Sequence, residues 1–203
     1  MIVLGITGNI GMGKSTVAGM FEELGAARID TDAIVSELLA EPEVQQEVKA
    51  LFGDEVVQNG VLDRRRVAEE VFEDSGLRLA LENVLHPMVF RIINDRLAVL
   101  ARDEQTALVV VEAPVLFERS YQNRFDTILT VHTSEDVALE RVIAKGMSRK
   151  DAESRLRCQF PIAMKKEKAD LLVDNSGSPE ETKEHIRRIY ELLVMQEQPR
   201  GYN

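Results

Sequence analysis

The sequence has little cysteine. Cys158 is alone among 203 residues, so no internal disulfide can form, and a reducing, cytoplasmic setting suits the chain. It lacks any apolar run of about 18 residues or more, which leaves no pattern for a membrane-spanning helix. No basic segment precedes the apolar start "MIVLGITG" and no small-residue cleavage site follows it, so this stretch reads as a first strand rather than a secretion signal. Positive charge is also short. The net charge of −10 argues against a general nucleic-acid binder, and any anionic ligand must be held by local positive features. Internal repeats and low-complexity segments are absent.

What is present suits one ordinary domain. Hydrophobic residues make up 44% and charged residues 30%, enough for a real core and against disorder. Short β-rich runs at Ile2–Thr7, Ala27–Asp30, Leu108–Glu112, Thr127–Val131 and Leu171–Asp174 alternate with helical patterns. That alternation predicts an α/β fold, a mostly parallel five-stranded sheet covered on both faces, with right-handed crossovers. Two connections exceed the dozen or so residues of a plain crossover. Thr31 to Thr106 spans 76 residues, nearly all helical in pattern, and Thr133 to Ala169 spans 37, rich in Arg and Lys. Both leave from the carboxyl ends of strands, where open α/β sheets bind ligands.

The run Gly8-Asn9-Ile10-Gly11-Met12-Gly13-Lys14-Ser15 fits G-x-x-x-x-G-K-[ST] between a strand and a helix, the context of a phosphate-binding loop. Side chains in place of the glycines would keep the backbone from phosphate oxygens, and several peptide N–H groups must point into one concavity. The helix N-terminus adds partial positive charge. Lys14 is placed to reach the β- and γ-phosphates, Ser15 Oγ to coordinate Mg²⁺, and Thr16 to support the first helical turn.

A phosphate loop implies a nucleotide, not a reaction. Neither the N-K-x-D run of a GTPase nor the L-S-G-G-Q run of a transporter ATPase occurs. In "ARIDTDAIVSELL" the strand should end near Asp30, leaving Asp30 and Asp32 at the sheet's carboxyl edge. A carboxylate there can accept or orient the proton of an attacking hydroxyl. Asp32 could instead cap a helix beginning near Ala33, and Asp30 could stand behind a metal ion. Glu112 ends the third apolar strand, where an acid often reaches Mg²⁺; pairing with an arginine of the core rim is the other reading. Pro114 then turns the chain and brings Leu116 and Phe117 toward the substrate pocket. In the second insertion Arg141 and Lys145 share a helix face, and Arg149, Lys150, Arg155 and Arg157 follow. A mobile basic segment closing over a nucleotide would exclude water and offer guanidinium groups to the transferring phosphoryl; a solvated face with internal pairs such as Glu153 with Arg157 is the alternative.

Several segments together resemble the dephospho-CoA kinase family over nearly the whole length: "TGNIGMGKST", "IDTDAI", "FG…NGVLDRRRVAEEVF", "LHPM", "PVLFE", "LERV", "RLRCQ" and "ADLLVDNSG". The resemblance implies one kinase domain over 1–203. Its nucleotide-binding core would be 1–31, 105–132 and 170–203, its CoA-binding helical insertion 32–104 and its lid 133–169. It implies ATP on the phosphate loop, Asp32 as base for the ribose 3′-hydroxyl, and Arg141 as the lid arginine on the ATP phosphates. His86 and Pro87 would open the long helix beside the dephospho-CoA pocket, Arg64 would be the basic residue of the insertion, and Asn175 and Gly177 would turn near adenine. The chain departs from the family pattern at Lys145, often a second Arg, at Val115, usually Leu, and at Ala138, commonly Gln.

The expected activity is direct in-line transfer from ATP·Mg²⁺ to the 3′-hydroxyl of dephospho-CoA, the last step of coenzyme A synthesis, with Lys14, Mg²⁺ and Arg141 stabilising the migrating charge and Asp32 managing the proton. ATP and dephospho-CoA are the expected partners, with no nucleic acid, membrane or obligate protein. A shikimate- or nucleoside-type kinase and a non-catalytic nucleotide sensor are the alternatives. His132, His185 and Cys158 carry no expected role.

Overall fold

A computed structural model of the chain describes residues 1–58 and 61–197. Asn59 and Gly60 of the family-like run, and Gln198 with the tail after it, lie outside the described residues. Two compact units are present: Met1–Asp30 with Val99–Asn203, and Thr31–Ala98.

In the first unit, β1 (Ile2–Thr7) leads through the phosphate loop into α1 (Lys14–Glu23), and β2 (Ala27–Asp30) follows. The second unit holds α2 (Thr31–Leu38), α3 (Pro42–Phe52), a hairpin of β3 (Val57–Gln58) and β4 (Val61–Leu62), α4 (Arg64–Glu73) and most of α5 (Ser75–Leu100). The chain then returns to the first unit with β5 (Leu108–Glu112), β6 (Thr127–His132), α6 (Glu135–Ala144), α7 (Arg149–Arg157), α8 (Ile162–Lys168), β7 (Leu171–Asp174) and α9 (Pro179–Glu197).

The five long strands form one parallel sheet in the order β2-β5-β1-β6-β7. The sequence predicted all five, and only β6 runs one residue further than expected. Their legibility has a physical source: β5 is buried at all five positions, so its face-to-face burial demands a continuous β-branched run. On one face Leu4, Ile6, Val110, Leu129, Val131 and Val173 pack with Phe21 of α1 and Ile186 of α9. Each such buried aliphatic side chain contributes about 1.5–3 kcal/mol.

The second unit departs from expectation at three places. Its "nearly all helical" pattern conceals the short antiparallel β3–β4 hairpin. The helix after β2 begins at Thr31 rather than near Ala33, so Asp32 lies inside the first turn and is not its cap. Pro87 does not open the long helix but sits inside α5. A proline there forfeits the N–H bond to residue 83, yet Leu85, Val89 and Ile93, one buried ridge at a spacing of four, carry the helix through. Tertiary burial outweighs the local preference.

Candidate active site

The phosphate loop is shaped by the protein packed against it. Gly11 has φ +78° and Gly13 φ +92°, both in the left-handed region that favours glycine. A Cβ on Gly11 would strike the backbone carbonyl of Ala138, and one on Gly13 would strike the side-chain amide of Asn175. With Gly8, whose Cβ would strike the Val131 carbonyl, all three glycines of the run answer to protein neighbours packed against the loop. Ala138, the departure from the family's Gln, is fully buried at its contact with Gly11.

Lys14 opens α1 and curls back over the loop, its Nζ donating to the carbonyls of Gly8 at 3.0 Å and Asn9 at 3.2 Å. The Met12 N–H reaches the Asn9 carbonyl at 3.3 Å, and the Val17 N–H bonds Gly13 to start the helix. Ser15 and Thr16 are exposed on its first turn, where their hydroxyls are open to a ligand.

Arg141 comes from α6, whose start is fixed by the Ser134 hydroxyl accepting the Val137 N–H. Its Nη2 donates to the Asn175 carbonyl at 2.9 Å. Its Nη1 is buried without a protein partner and would lie 3.8 Å from a Cβ on Gly13. A spare guanidinium donor therefore stands against the phosphate loop, where an anion would satisfy it. Asn175 does much to build this corner. Its N–H bonds His132, its Nδ2 donates to Met12 O at 3.0 Å, and its Oδ1 accepts from Thr182 Oγ1 at 3.2 Å. The side chain thus ties the loop at Met12 to Thr182 of α9; Gly177, two residues on, is exposed.

Glu112 faces Arg28 across the β2–β5 pair. Arg28 Nε donates to its Oε1 at 2.8 Å, and Asp30 lies 3.9 Å from the same guanidinium. This geometry matches the ion-pair reading of Glu112. Leu116 is 1% exposed and Phe117 6%. Leu116 packs with Ile128 and Phe125 and touches the backbone side of Gly5, so it is core rather than pocket wall. Phe117 packs in the same cluster and also lines a cleft of about 450 Å³ with Glu118, Ser120, Gln122, Phe160 and Lys168.

The basic segment 133–169 carries α6, α7 and α8. Arg149 pairs with Glu153 at 3.6 Å and Arg157 bonds the Ser154 hydroxyl, so the expected Glu153–Arg157 pair is replaced by one at the helix's other end. Lys145 is exposed at the end of α6. The structure also brings in residues with no role expected from the sequence. Gln159 and Phe160 bond the loop at Ile10 and Asn9, and Lys165 forms a buried ion pair with Glu118. Gln159 ends the "RLRCQ" run and Glu118 ends "PVLFE", while Phe160 and Lys165 belong to neither.

In the second unit Asp32 is exposed in the first turn of α2, two residues beyond the end of β2. Arg64 opens α4 behind the cap Asp63 and donates to the Ser36 carbonyl at 2.8 Å. His86 is half-buried in mid-α5, and Pro87 beside it is exposed.

Among the described residues no group of three or more His, Cys, Asp and Glu is placed to hold a metal ion. The exposed Ser15 hydroxyl is a hard oxygen donor of the kind magnesium takes. No helix among the described residues is long and apolar enough to cross a membrane.

The dephospho-CoA kinase family model matches residues 2–181. A dephospho-CoA kinase of Aquifex aeolicus is 38% identical over 193 residues, covering 94% of this chain and 97% of the relative. A crystal structure from Thermus thermophilus superposes with a TM-score of 0.80 at 35% identity and 98% coverage of both chains. A Campylobacter jejuni dephospho-CoA kinase gives 0.69 at 25% identity, covering 96% of this chain and 98% of its own. A shikimate kinase from Acinetobacter baumannii, at 14% identity and a TM-score of 0.55, shares the fold alone. With the phosphate loop, Lys14 and Arg141 converging as described, this chain belongs to the dephospho-CoA kinase family, which carries out the ATP-dependent final step of coenzyme A synthesis.

Proposed function

We propose that the chain transfers the γ-phosphoryl group of ATP in line to the ribose 3′-hydroxyl of dephospho-CoA, with the roles divided as follows. The β- and γ-phosphates rest on the amides of residues 8–16 and the N-terminus of α1. The Lys14 ammonium leaves the carbonyls of Gly8 and Asn9 for the phosphates. Arg141 Nη1 turns its unpaired donor onto the nucleotide while Nη2 stays anchored on Asn175, so the guanidinium is pre-aimed and loses little entropy on binding. Asp32 accepts the hydroxyl proton as the new O–P bond forms and the bond to the ADP oxygen breaks. Magnesium bound with ATP supplies charge neutralisation on the phosphates, and Ser15 is the residue that holds it. Glu112, engaged by Arg28, is assigned to the ion pair.

Residues 32–104 are the segment to hold the acceptor, with Arg64 and His86 as candidate contacts. Residues 133–169 are the lid, and residues 1–31, 105–132 and 170–203 the nucleotide-binding core. The single cysteine suits a cytoplasmic enzyme, and the mechanism calls for no nucleic acid or protein partner.

The observation carrying this reading is the buried, unpartnered Arg141 donor beside Gly13. It is tested by ADP release with dephospho-CoA, shikimate and nucleosides offered side by side. Dephospho-CoA is expected to be preferred, and Asp32→Asn is expected to keep ATP affinity while losing about 10²–10⁴-fold in turnover. Preference for shikimate would end the acceptor assignment, and full turnover by Asp32→Asn would end the role of Asp32.

A further inference from the structure

The phosphate loop is tied down by the segment between α7 and α8. Two residues after α7, Gln159 Oε1 accepts a hydrogen bond from the Ile10 N–H at 2.9 Å. The next carbonyl, Phe160 O, accepts from Asn9 Nδ2 at 3.2 Å. Both bonds land on the second and third residues of the loop, ahead of the amides that follow Gly11. The strap is itself anchored. The Phe160 N–H donates to Glu118 Oε1 at 2.9 Å, and the same oxygen lies 2.7 Å from Lys165 Nζ. Lys165 also donates to Pro114 O at 2.8 Å and is fully buried. A continuous line of bonds therefore runs from the turn after β5, through a buried ion pair, to the loop.

The loop needs such a tie. Glycines lose more backbone freedom on ordering than any other residue, and an order imposed only by the arriving nucleotide is subtracted from its affinity. A bond that fixes the Ile10 amide beforehand removes part of that cost. The chemistry of the tie is also apt. An uncharged amide oxygen can accept the N–H without setting a negative charge beside the triphosphate, whereas a carboxylate would make the same bond and repel the ligand.

We propose that Gln159 is a positioning residue for ATP: its side-chain carbonyl holds the Ile10 amide, through a strap anchored on Glu118 and Lys165, so that the phosphate loop is shaped before the nucleotide arrives. The role in ATP binding rests on the assignment of ATP to this loop; the tie itself does not.

The test uses the full chain with Gln159→Met, of similar length and no oxygen, and Gln159→Glu, which keeps the acceptor and adds charge. In nucleotide-free protein, exchange of the Ile10 amide followed by NMR is expected to quicken about tenfold in Gln159→Met and to stay at the wild-type rate in Gln159→Glu. The KM for ATP is expected to rise about three- to tenfold in Gln159→Met, with kcat, the KM for dephospho-CoA and the melting temperature nearly unchanged. In Gln159→Glu the KM for ATP rises although the tie is intact. An unchanged KM for ATP in Gln159→Met overturns the proposal. So does an equal rise in both KM values accompanied by a lower melting temperature, which marks a merely structural residue. If Gln159→Met does not fold, Gln159→Glu decides alone: fast Ile10 exchange or an unchanged KM for ATP rejects it, and slow exchange with a raised KM supports it. Failure of the ATP assignment shows separately, as a wild-type enzyme that does not turn over, while amide exchange without nucleotide still reports on the tie.

Discussion

Replacing Lys165 with methionine is the sharpest perturbation of the scaffold. The ammonium is 0% exposed and its partner Glu118 8%, and the pair is 2.7 Å apart. Burial pushes the Lys165 pKa down, and the Glu118 hydrogen bond and charge offset that only in part. In Lys165→Met the Glu118 carboxylate keeps the Phe160 N–H at 2.9 Å but loses its counter-charge, while its Oε2 is already buried without a partner. Removing one member of a buried pair costs about 3–5 kcal/mol, because the other charge stays desolvated. For a chain of this size that is a fall in melting temperature of about 6–20 °C. The double variant Lys165→Met with Glu118→Gln removes the stranded charge and keeps an oxygen for Phe160. It should recover most of the loss, which requires a coupling of about 3 kcal/mol or more. Thermal and urea unfolding followed by far-ultraviolet circular dichroism reads all four corners of the cycle. A loss below about 1 kcal/mol in the single variant, or a double variant as unstable as the two single losses added, would refute the reasoning.

Three further outcomes follow from the site. Gly11→Ala forces a β-carbon into the Ala138 carbonyl at φ +78°, so ATP affinity by titration calorimetry should fall at least about tenfold, with about 1–2 kcal/mol of stability lost. Arg141→Lys keeps the charge but cannot bond Asn175 and the nucleotide together, and kcat should fall on the order of 10–10²-fold with ATP still bound. The His132 pKa is lowered by burial first and by Lys166 second, against Asp174. Protonation therefore favours the unfolded chain, so stability is intact above about pH 6.5 and declines as the pH falls below it. His132→Gln should lose less between pH 7 and 5 than the wild type, and parallel melting curves would reject this.

The sheet and the phosphate loop were legible because their constraints are local: a strand buried on both faces reads as a nearly continuous apolar run, and a phosphate cradle must be glycine-rich next to a Lys-Ser pair. Asp32 and Arg141 became candidates through position and motif. What stayed open or hidden depends on partners distant in sequence. Glu112 carried two readings, a metal ligand or a partner of a core-rim arginine, and the β2–β5 register that sets Arg28 beside it matches the second. Glu118 and Lys165 lie 47 residues apart by number, with no periodicity joining them. The Asn175 amide supports Met12 from 163 residues away, a contact that no local pattern signals. The β3–β4 hairpin was missed because two-residue strands carry no alternation, and Pro87 misled because packing along α5 overrides a local rule.

The sheet order places the earliest strand in the middle. β1 lies between β5 and β6, so neither neighbour exists until roughly a hundred further residues have been made. At about 5–20 residues per second that is a wait of about 5–20 s. During synthesis this apolar strand must be shielded by something other than its own sheet. The nucleotide cradle beside it stays incomplete longer still, until Asn175 emerges, so a nascent chain can gain no help from ATP until nearly the whole molecule has been translated.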